Sequence, residues 1–527
     1  MHWKQYKNLS AMEKRDEAYY IIGLDIGNDS SGIAYFNMAE SEPETIDLSG
    51  GYGKPSIPTV MQYIAETKEW VYGEYAILNR GVGTEVTLSD LIGRLGSFDY
   101  IDVAYKPVSV VSILALFIKE ILGSVKNINP KAEIVGIVTA IPAYFSEQAQ
   151  AELMRAFKSA GYERELIALV PDRECIFTRH YQRNTPREER ALLFDYGSRE
   201  VRGGLYHVMP QGEQVAVKSI SSLFDDSIGT FGIVRDVCDL FESFLQKQQD
   251  GKPLTKQMSE QVSAFVYQHK DMLFQKAIRT KAAKLYFNFA YPPFQQTLSN
   301  EDALGLIKPY QRRFEQFMRD VLEKNLYEEE IRPLDISAVL CVGGGFEMLW
   351  AREAVTEMFT QAQPRFHKNV KLATAEGAAL VAAQRLGIAE GPTVSLEDKH
   401  QLAADIGLSD GAEFLPLVER NAFWWQKHSE KLVLINKVVG DPDDWVKQAA
   451  DPLRLQLTQR GASGELALLA DMELIGLPER PKGTTRLGIG LDFTSNVDLT
   501  VMVRDLGFGE LFPKSNYEGL FHIRLES

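Results

Sequence analysis

Two stretches of this chain close a hydrophobic run with Asp-x-Gly: GLDIGNDSSG at 23–32 and FDYGSREVRG at 194–203. In both, a polar turn and a second apolar run follow, the pattern of a strand hairpin with glycine in its turn. A glycine turn after a strand can aim backbone N–H groups at phosphate oxygens, because glycine permits close approach and positive φ. A third stretch, VGGGFEML at 342–349, follows the buried run SAVLC and opens an amphipathic helix. The residues placed to cradle phosphate are Gly27, Asn28, Asp29 and Ser30, then Gly197, Ser198 and Arg199, then Gly343, Gly344 and Gly345. Asp25 and Asp195 fall in equivalent places and could flank, through water, the magnesium ion that accompanies a triphosphate. The plainer alternatives are turn acids bonding nearby N–H groups, a strand-to-helix turn without ligand, and surface ion pairs for Arg199 and Arg202.

The elements around these loops alternate. Residues 108–125 carry apolar positions at helical spacing, 133–145 reads as a buried strand, and 146–162 reads as a helix capped by Ser146 and ended by Gly161. That order predicts an α/β sheet with crossovers. Residues 232–290 read as mostly helical, 311–328 as helical again, and 374–387 as a small-residue helix able to pack closely on a neighbour. From 401 the period changes to short alternating runs such as LRLQLTQRG and TRLGIGLDF, which predict an antiparallel β-sandwich. The expected division is an N-terminal extension at 1–19, an α/β domain at 20–388, a linker at 389–400 and the sandwich at 401–527.

Composition agrees with several cores: 527 residues, 45% hydrophobic and 24% charged. Net charge is -15, from 57 Lys plus Arg against 72 Asp plus Glu, with no basic run to track nucleic acid or an anionic membrane. Cys175, Cys238 and Cys341 are widely spaced among apolar residues and read as core thiols, neither a disulfide framework nor a zinc site. The first twenty residues lack a signal-peptide core, and no apolar run reaches the roughly 18 residues of a membrane span. A cytoplasmic protein without a membrane span is expected.

With those motifs in place, the chain resembles the seventy-kilodalton heat-shock chaperone family of the actin-like ATPase superfamily. GLDIGNDSSGIAYF resembles the superfamily's first phosphate hairpin; AIPAYFSEQAQ at 140–150 resembles the family's Val-Pro-Ala-Tyr-Phe connection; TLSDLIGRLGS at 87–97 resembles its Lys-Arg-Leu-Ile-Gly-Arg stretch; VGGGFEML resembles its adenosine-side glycine loop. ELIGLPERPKGTTRLGIGLDFTSNVDLTVMVRD at 473–505 and PLVERNAFWW at 416–425 are similar to its substrate-binding β-domain. The likeness covers roughly 20–525 and implies a duplicated actin-like (ribonuclease H-like) nucleotide-binding domain followed by the sandwich, with ATP or ADP and magnesium as cofactors and a protein or extended peptide as partner. It adds Asp172 to Asp25 and Asp195 as candidate catalytic carboxylates and places Lys284 with the nucleotide-binding residues. Leu408 and Phe414 become candidate peptide contacts, and Phe423, Trp424 and Trp425 become candidates for a peptide groove or for core.

The departures fall on the chemistry. Where the family has Asp-Leu-Gly-Gly-Gly-Thr-Phe-Asp, this chain has Asp195 to Arg202, with Glu200 for the threonine and Arg202 for the last aspartate. Asn28 and Asp29 replace a Thr-Thr pair, Ile77 stands where the family has its catalytic lysine, and Gly345 and Glu347 replace a serine and an arginine. The linker has a single leucine, Asp410 and Glu413 make the peptide-loop region less apolar, and no helical lid follows the β-domain. Two readings follow: a chaperone-like protein that binds adenine nucleotide with weak or absent hydrolysis, or a pseudo-ATPase scaffold for a dedicated protein partner. A sugar or acid kinase is disfavoured, since such kinases lack this sandwich.

Overall fold

A computed structural model of the chain describes residues 19–48, 54–79, 85–96, 99–142, 145, 147–249, 251–271, 282–288, 290, 293–323, 330–397, 402, 404–409, 414–419, 430–435, 453–461, 465–493 and 498–524. Residues 1–18 of the N-terminal extension, Ser146, Asp410, Glu413, Phe423, Trp424 and Trp425 lie outside them. The chain divides into two compact units: one takes residues 1–218, 225–322 and 331–397, the other 219–224, 323–330 and 398–527.

The first unit contains two six-stranded sheets with a shared plan. In one, β1 (Tyr19–Ile26), β2 (Ser30–Asn37), β3 (Glu42–Thr45), β4 (Glu133–Ile141) and β5 (Leu166–Pro171) lie in the order β5-β4-β1-β2-β3, and the short strand Ser56–Pro58 pairs with β2 off that path. In the other, β6 (Glu189–Tyr196), β7 (Val201–Gln211), β8 (Gln214–Asp225), β9 (Ala338–Val342), β10 (Arg365–Phe366) and β11 (Thr393–Glu397) lie in the order β10-β9-β6-β7-β8-β11. In each, the first strand pairs antiparallel with its hairpin partner and parallel with a strand from much later in the chain: β1 with β2 and β4, β6 with β7 and β9. Both inner strands are buried apolar runs, as parallel neighbours covered by helices require.

The crossovers repeat too. Helix α1 (Val110–Gly123) precedes β4, α2 (Glu147–Ala160) follows it, and α3 (Asp172–Arg183) follows β5. In the second half α4 (Leu349–Met358) follows β9 and α5 (Ala373–Arg385) follows β10. Helix α1 buries Val110, Ile113, Leu114, Phe117, Ile118 and Ile121, a stripe at three- and four-residue spacing, and Ser109 caps it by accepting from the Ser112 N–H at 3.2 Å. Helix α2 ends at Gly161, whose φ of 93° lets its N–H reach Lys158 and that of Tyr162 reach Phe157, both through carbonyl oxygens.

Small residues let α5 settle against backbone. A Cβ on Gly377 would lie 1.9 Å from the Cys175 carbonyl of α3, and one on Gly23 of β1 would lie 2.1 Å from the Ala375 oxygen of α5. The neighbouring backbones occupy the space a side chain needs, so either glycine can be replaced only by moving α5.

The structure adds detail to three expectations. Among the described residues of 232–290, 232–248 and 256–271 are helical, and Ala282–Phe287 pairs antiparallel with Phe294–Ser299. Leu285 and Phe287 are buried while Lys284 and Tyr286 are exposed, a period of two, and Phe287 stacks on its partner Phe294 with centroids 4.8 Å apart. The next helix runs over Asn300–Glu323 with Pro309 inside it, starting earlier than the expected 311. Within the stretch expected as linker, β11 pairs parallel with β8, from Gln214 opposite Thr393 to Lys218 opposite Glu397.

The second unit contains two four-stranded sheets. β12 (Asp405–Ser409), β13 (Phe414–Val418), β15 (Leu453–Arg460) and β16 (Leu466–Leu474) form one, and β14 (Lys431–Ile435), β17 (Thr485–Phe493), β18 (Asp498–Asp505) and β19 (Glu518–Arg524) form the other. The pairings are antiparallel. Alternate residues of both sheets, among them Leu455, Leu457, Ile489, Leu491 and Val501, share one hydrophobic core. Leu408 belongs to that core, and Phe414 is half-buried with the Arg460 guanidinium over its ring at 4.4 Å.

Candidate functional site

The matched strand order brings the two hairpin turns to one cavity. The Gly27 N–H bonds the Ser30 carbonyl at 3.2 Å and the Gly197 N–H bonds the Glu200 carbonyl at 3.0 Å, so both turns close in the same way. Asp25 ends β1 opposite Gly32, and Asp195 ends β6 opposite Arg202. The glycine turn after β9 supplies a third wall: Gly343 has a φ of 92°, and a Cβ there would lie 2.5 Å from the Asp195 carboxylate. Only glycine meets both demands.

The cavity is about 260 Å³ and is lined by Asp25, Gly27, Asn28, Asp29, Ser30, Asp172, Asp195, Gly197, Ser198, Arg199, Gly343 and Gly344 of the sequence candidates. Gly345 is not in its wall but packs on the Tyr196 ring, and Lys284 sits exposed on its hairpin away from the lining residues. Ile77 lines the cavity with a buried apolar side chain. Sequence reasoning did not single out Asp90 or Lys371, which complete the electrostatics. Nothing local marks either residue; both act through partners far along the chain.

Every basic side chain of the lining is ion-paired. Arg199 meets Asp90 at 2.7 Å, Lys371 meets Glu347 at 2.9 Å, and Arg202 bridges Asp172 at 3.0 Å and Glu200. Burial pushes the Asp25 carboxyl up to about 8, with the charges of Asp195 and Asp172 adding to the rise and Arg202 opposing it. Burial likewise raises Asp195 to about 6, here with Arg202 as the chief opposing influence. Burial among other acids thus favours the protonated form of Asp25. Asn28 Oδ1 is buried without a hydrogen-bond partner, which leaves its amide for a ligand.

The second turn is also committed through its backbone. The N–H groups of Thr230 and Phe231, at the start of the helix over 230–248, donate to the carbonyls of Gly197 and Ser198 at 3.2 and 2.8 Å. Those helix-start donors, which an anion would otherwise find, are satisfied by the turn itself. The side chains present do not fit a magnesium ion either. Among the described residues no three His, Cys, Asp or Glu side chains are placed to hold a metal, and the Arg202 guanidinium stands between Asp172 and Glu200.

Known proteins place the chain as follows. Residues 449–525 match a domain described as "Domain of unknown function (DUF8552)". The chaperone protein DnaK of Thermosipho africanus is 24% identical over 504 residues, covering 93% of this chain and 79% of that protein. DnaK of Thermosipho melanesiensis matches with the same identity and coverage, 24%, 93% and 79%. DnaK of Thermotoga petrophila is 23% identical over 505 residues, again covering 93% and 79%. Distant similarity to a chaperone thus runs through both units. Residues 42–370, more than half of the chain, match the profile described as "Family of unknown function (DUF5716) C-terminal", and the chain belongs to that family.

Proposed function

We propose that this protein is a cytoplasmic, chaperone-like relative of DnaK. In this reading its first unit is a duplicated actin-like fold that holds adenine nucleotide with weak or absent hydrolysis, and its second is a β-sandwich that takes an extended peptide or a protein partner. The observation that carries the reading is the convergence of two matched hairpin turns and a glycine turn on one cavity whose basic side chains are already paired. Phosphoryl transfer depends on positioning and charge stabilisation. Ile77 offers no amine and Arg199 and Arg202 are committed to carboxylates, and each lost preorganised donor costs about 2–4 kcal/mol of transition-state stabilisation. For the second unit, the edge strands β14 and β16 display Leu432, Leu434, Leu466 and Leu468 to solvent, which suits capture of an extended segment along a sheet edge. Calorimetry with ATP and ADP tests the nucleotide half: binding without phosphate release is expected, and no binding at millimolar nucleotide overturns it.

A second reading, a scaffold that docks one protein without nucleotide, is favoured by the charge of the cavity. Asp25, Asp29, Asp172, Asp195, Glu200 and Glu347 face three basic groups, a balance that opposes a polyphosphate. Native co-purification followed by binding to random unfolded peptides separates the two. A single partner and no peptide binding favours the scaffold.

A further inference from the structure

We propose that the cavity carries its own cation: the Arg202 guanidinium holds the Asp172 and Glu200 carboxylates in the cavity that Asp25 and Asp195 also line, so these acids are not left for a divalent metal ion, the site excludes metal and its ligand binds without one. The metal part stands on the geometry alone; the ligand part rests on the nucleotide reading above.

Three observations place the guanidinium there. Arg202 lies directly across the hairpin from Asp195, which registers their side chains together. Its Nη1 donates to Asp172 Oδ2 at 3.0 Å and its Nε donates to Glu200, two residues back in the turn that leads into β7. Its charge also acts on Asp25 and Asp195, which sit at the ends of the two inner strands. A guanidinium is permanently charged and disperses that charge over a plane of donors. Magnesium demands near-octahedral oxygen at roughly 2.1 Å and keeps several waters. The two cannot share these carboxylates: Asp172 and Glu200 already accept from the fork, and a second, divalent charge beside it is repelled. Arg202 thus does for an anionic ligand what the ion would do as a counter-charge, but it brings no ordered water and cannot leave with the ligand.

Manganese alone, followed by the paramagnetic resonance of the free ion, reads the metal part on the full chain. The wild type is expected to leave manganese free, Arg202→Gln to bind it at least tenfold more tightly, and Arg202→Lys, which keeps the charge, to exclude it like the wild type. A stoichiometric manganese site in the wild type, or a folded Arg202→Gln that binds none, overturns the proposal; should Arg202→Gln fail to fold, the wild type and Arg202→Lys still decide it. ADP titrations in EDTA and in magnesium read the ligand part: affinity is expected to agree within about twofold in the wild type and to fall at least tenfold in Arg202→Gln. A magnesium requirement for ADP overturns it. If no nucleotide binds at all while manganese stays excluded, the nucleotide reading fails and the exclusion of metal stands.

Discussion

Two arginine–carboxylate clusters in this molecule use the same chemistry for different ends. Arg480 forms a bidentate pair with Asp505 at 2.7 Å on both arms and also donates to the Pro513 carbonyl, while Asp505 accepts the N–H groups of Gly507 and Ser515. Both side chains are closed off, 3% and 0% exposed. Arg202 is split between Asp172 and Glu200, is 15% exposed, and faces a cavity with further acids around it. The first cluster balances one charge with one charge and satisfies each of the carboxylate's oxygens. In the second, carboxylates outnumber the guanidinium, and burial raises the pKa of Asp25 and Asp195. Full satisfaction marks a structural joint in the β-rich unit; the surplus of acid marks a site left able to respond to a ligand.

Breaking the structural joint has the largest expected effect. Arg480→Met strands a buried carboxylate, and the melting transition of the β-rich unit is expected to lose roughly 3–5 kcal/mol. A loss under about 1 kcal/mol in urea titrations overturns the assignment. The pair also sets an acid limit. The hydrogen bonds from Arg480 hold the Asp505 carboxyl down at about 2 against the desolvation of its burial. Its stabilisation is complete above the unfolded value of roughly 4 and is lost as pH falls towards 2. That limb is expected to vanish in Arg480→Met.

Asp25 titrates the other way and sharpens the contrast. Its folded value of about 8 lies above that of the unfolded chain, so the native state binds the extra proton and this group's effect turns unfavourable as pH rises from ~4 through 8. Asp25→Asn removes the ionisation. The variant is expected to gain on the wild type between pH 5 and pH 9, by up to about 4 kcal/mol at roughly 1.4 kcal/mol per unit until pH 8. A difference that is the same at both pH values overturns the buried-acid account. The two acids together predict opposite pH windows for the two units, readable as separate transitions in calorimetry.

What the sequence disclosed follows the reach of local pattern. The hairpins around Gly27 and Gly197, the turn at Gly343 and the alternation of β15 and β17 were legible because strand period and glycine spacing act over a few residues. The close seat of α5 was legible from its run of small side chains. The hairpin that carries Lys284 was not legible, because the period of two around Phe287 was short and set among helical segments. The partners of Arg202 were only half visible: Glu200 stands two residues away in the adjoining turn, but Asp172 is thirty residues back and arrives only through the order β5-β4-β1. The pairing of Arg199 with Asp90 had no local signal at all.

That last pair gives the smallest expected effect and the finest test of the comparison. Arg199 is 50% exposed, so its 2.7 Å contact with Asp90 is worth under about 1 kcal/mol once solvent screening and side-chain entropy are counted. Asp90 nonetheless sits at a φ of 62°, a costly backbone state for a residue other than glycine, and its carboxyl is raised by burial and held back by Arg199. The contact ties the second hairpin turn to the segment between Ser89 and Ile92, both in the cavity wall. Arg199→Ala is therefore expected to leave the melting temperature nearly unchanged while amide exchange speeds up at 89–96 and 197–200. If exchange stays as in the wild type, the pair is ordinary surface charge. If the melting transition drops as far as it does in Arg480→Met, it is a structural joint, and the division between the two kinds of arginine cluster fails.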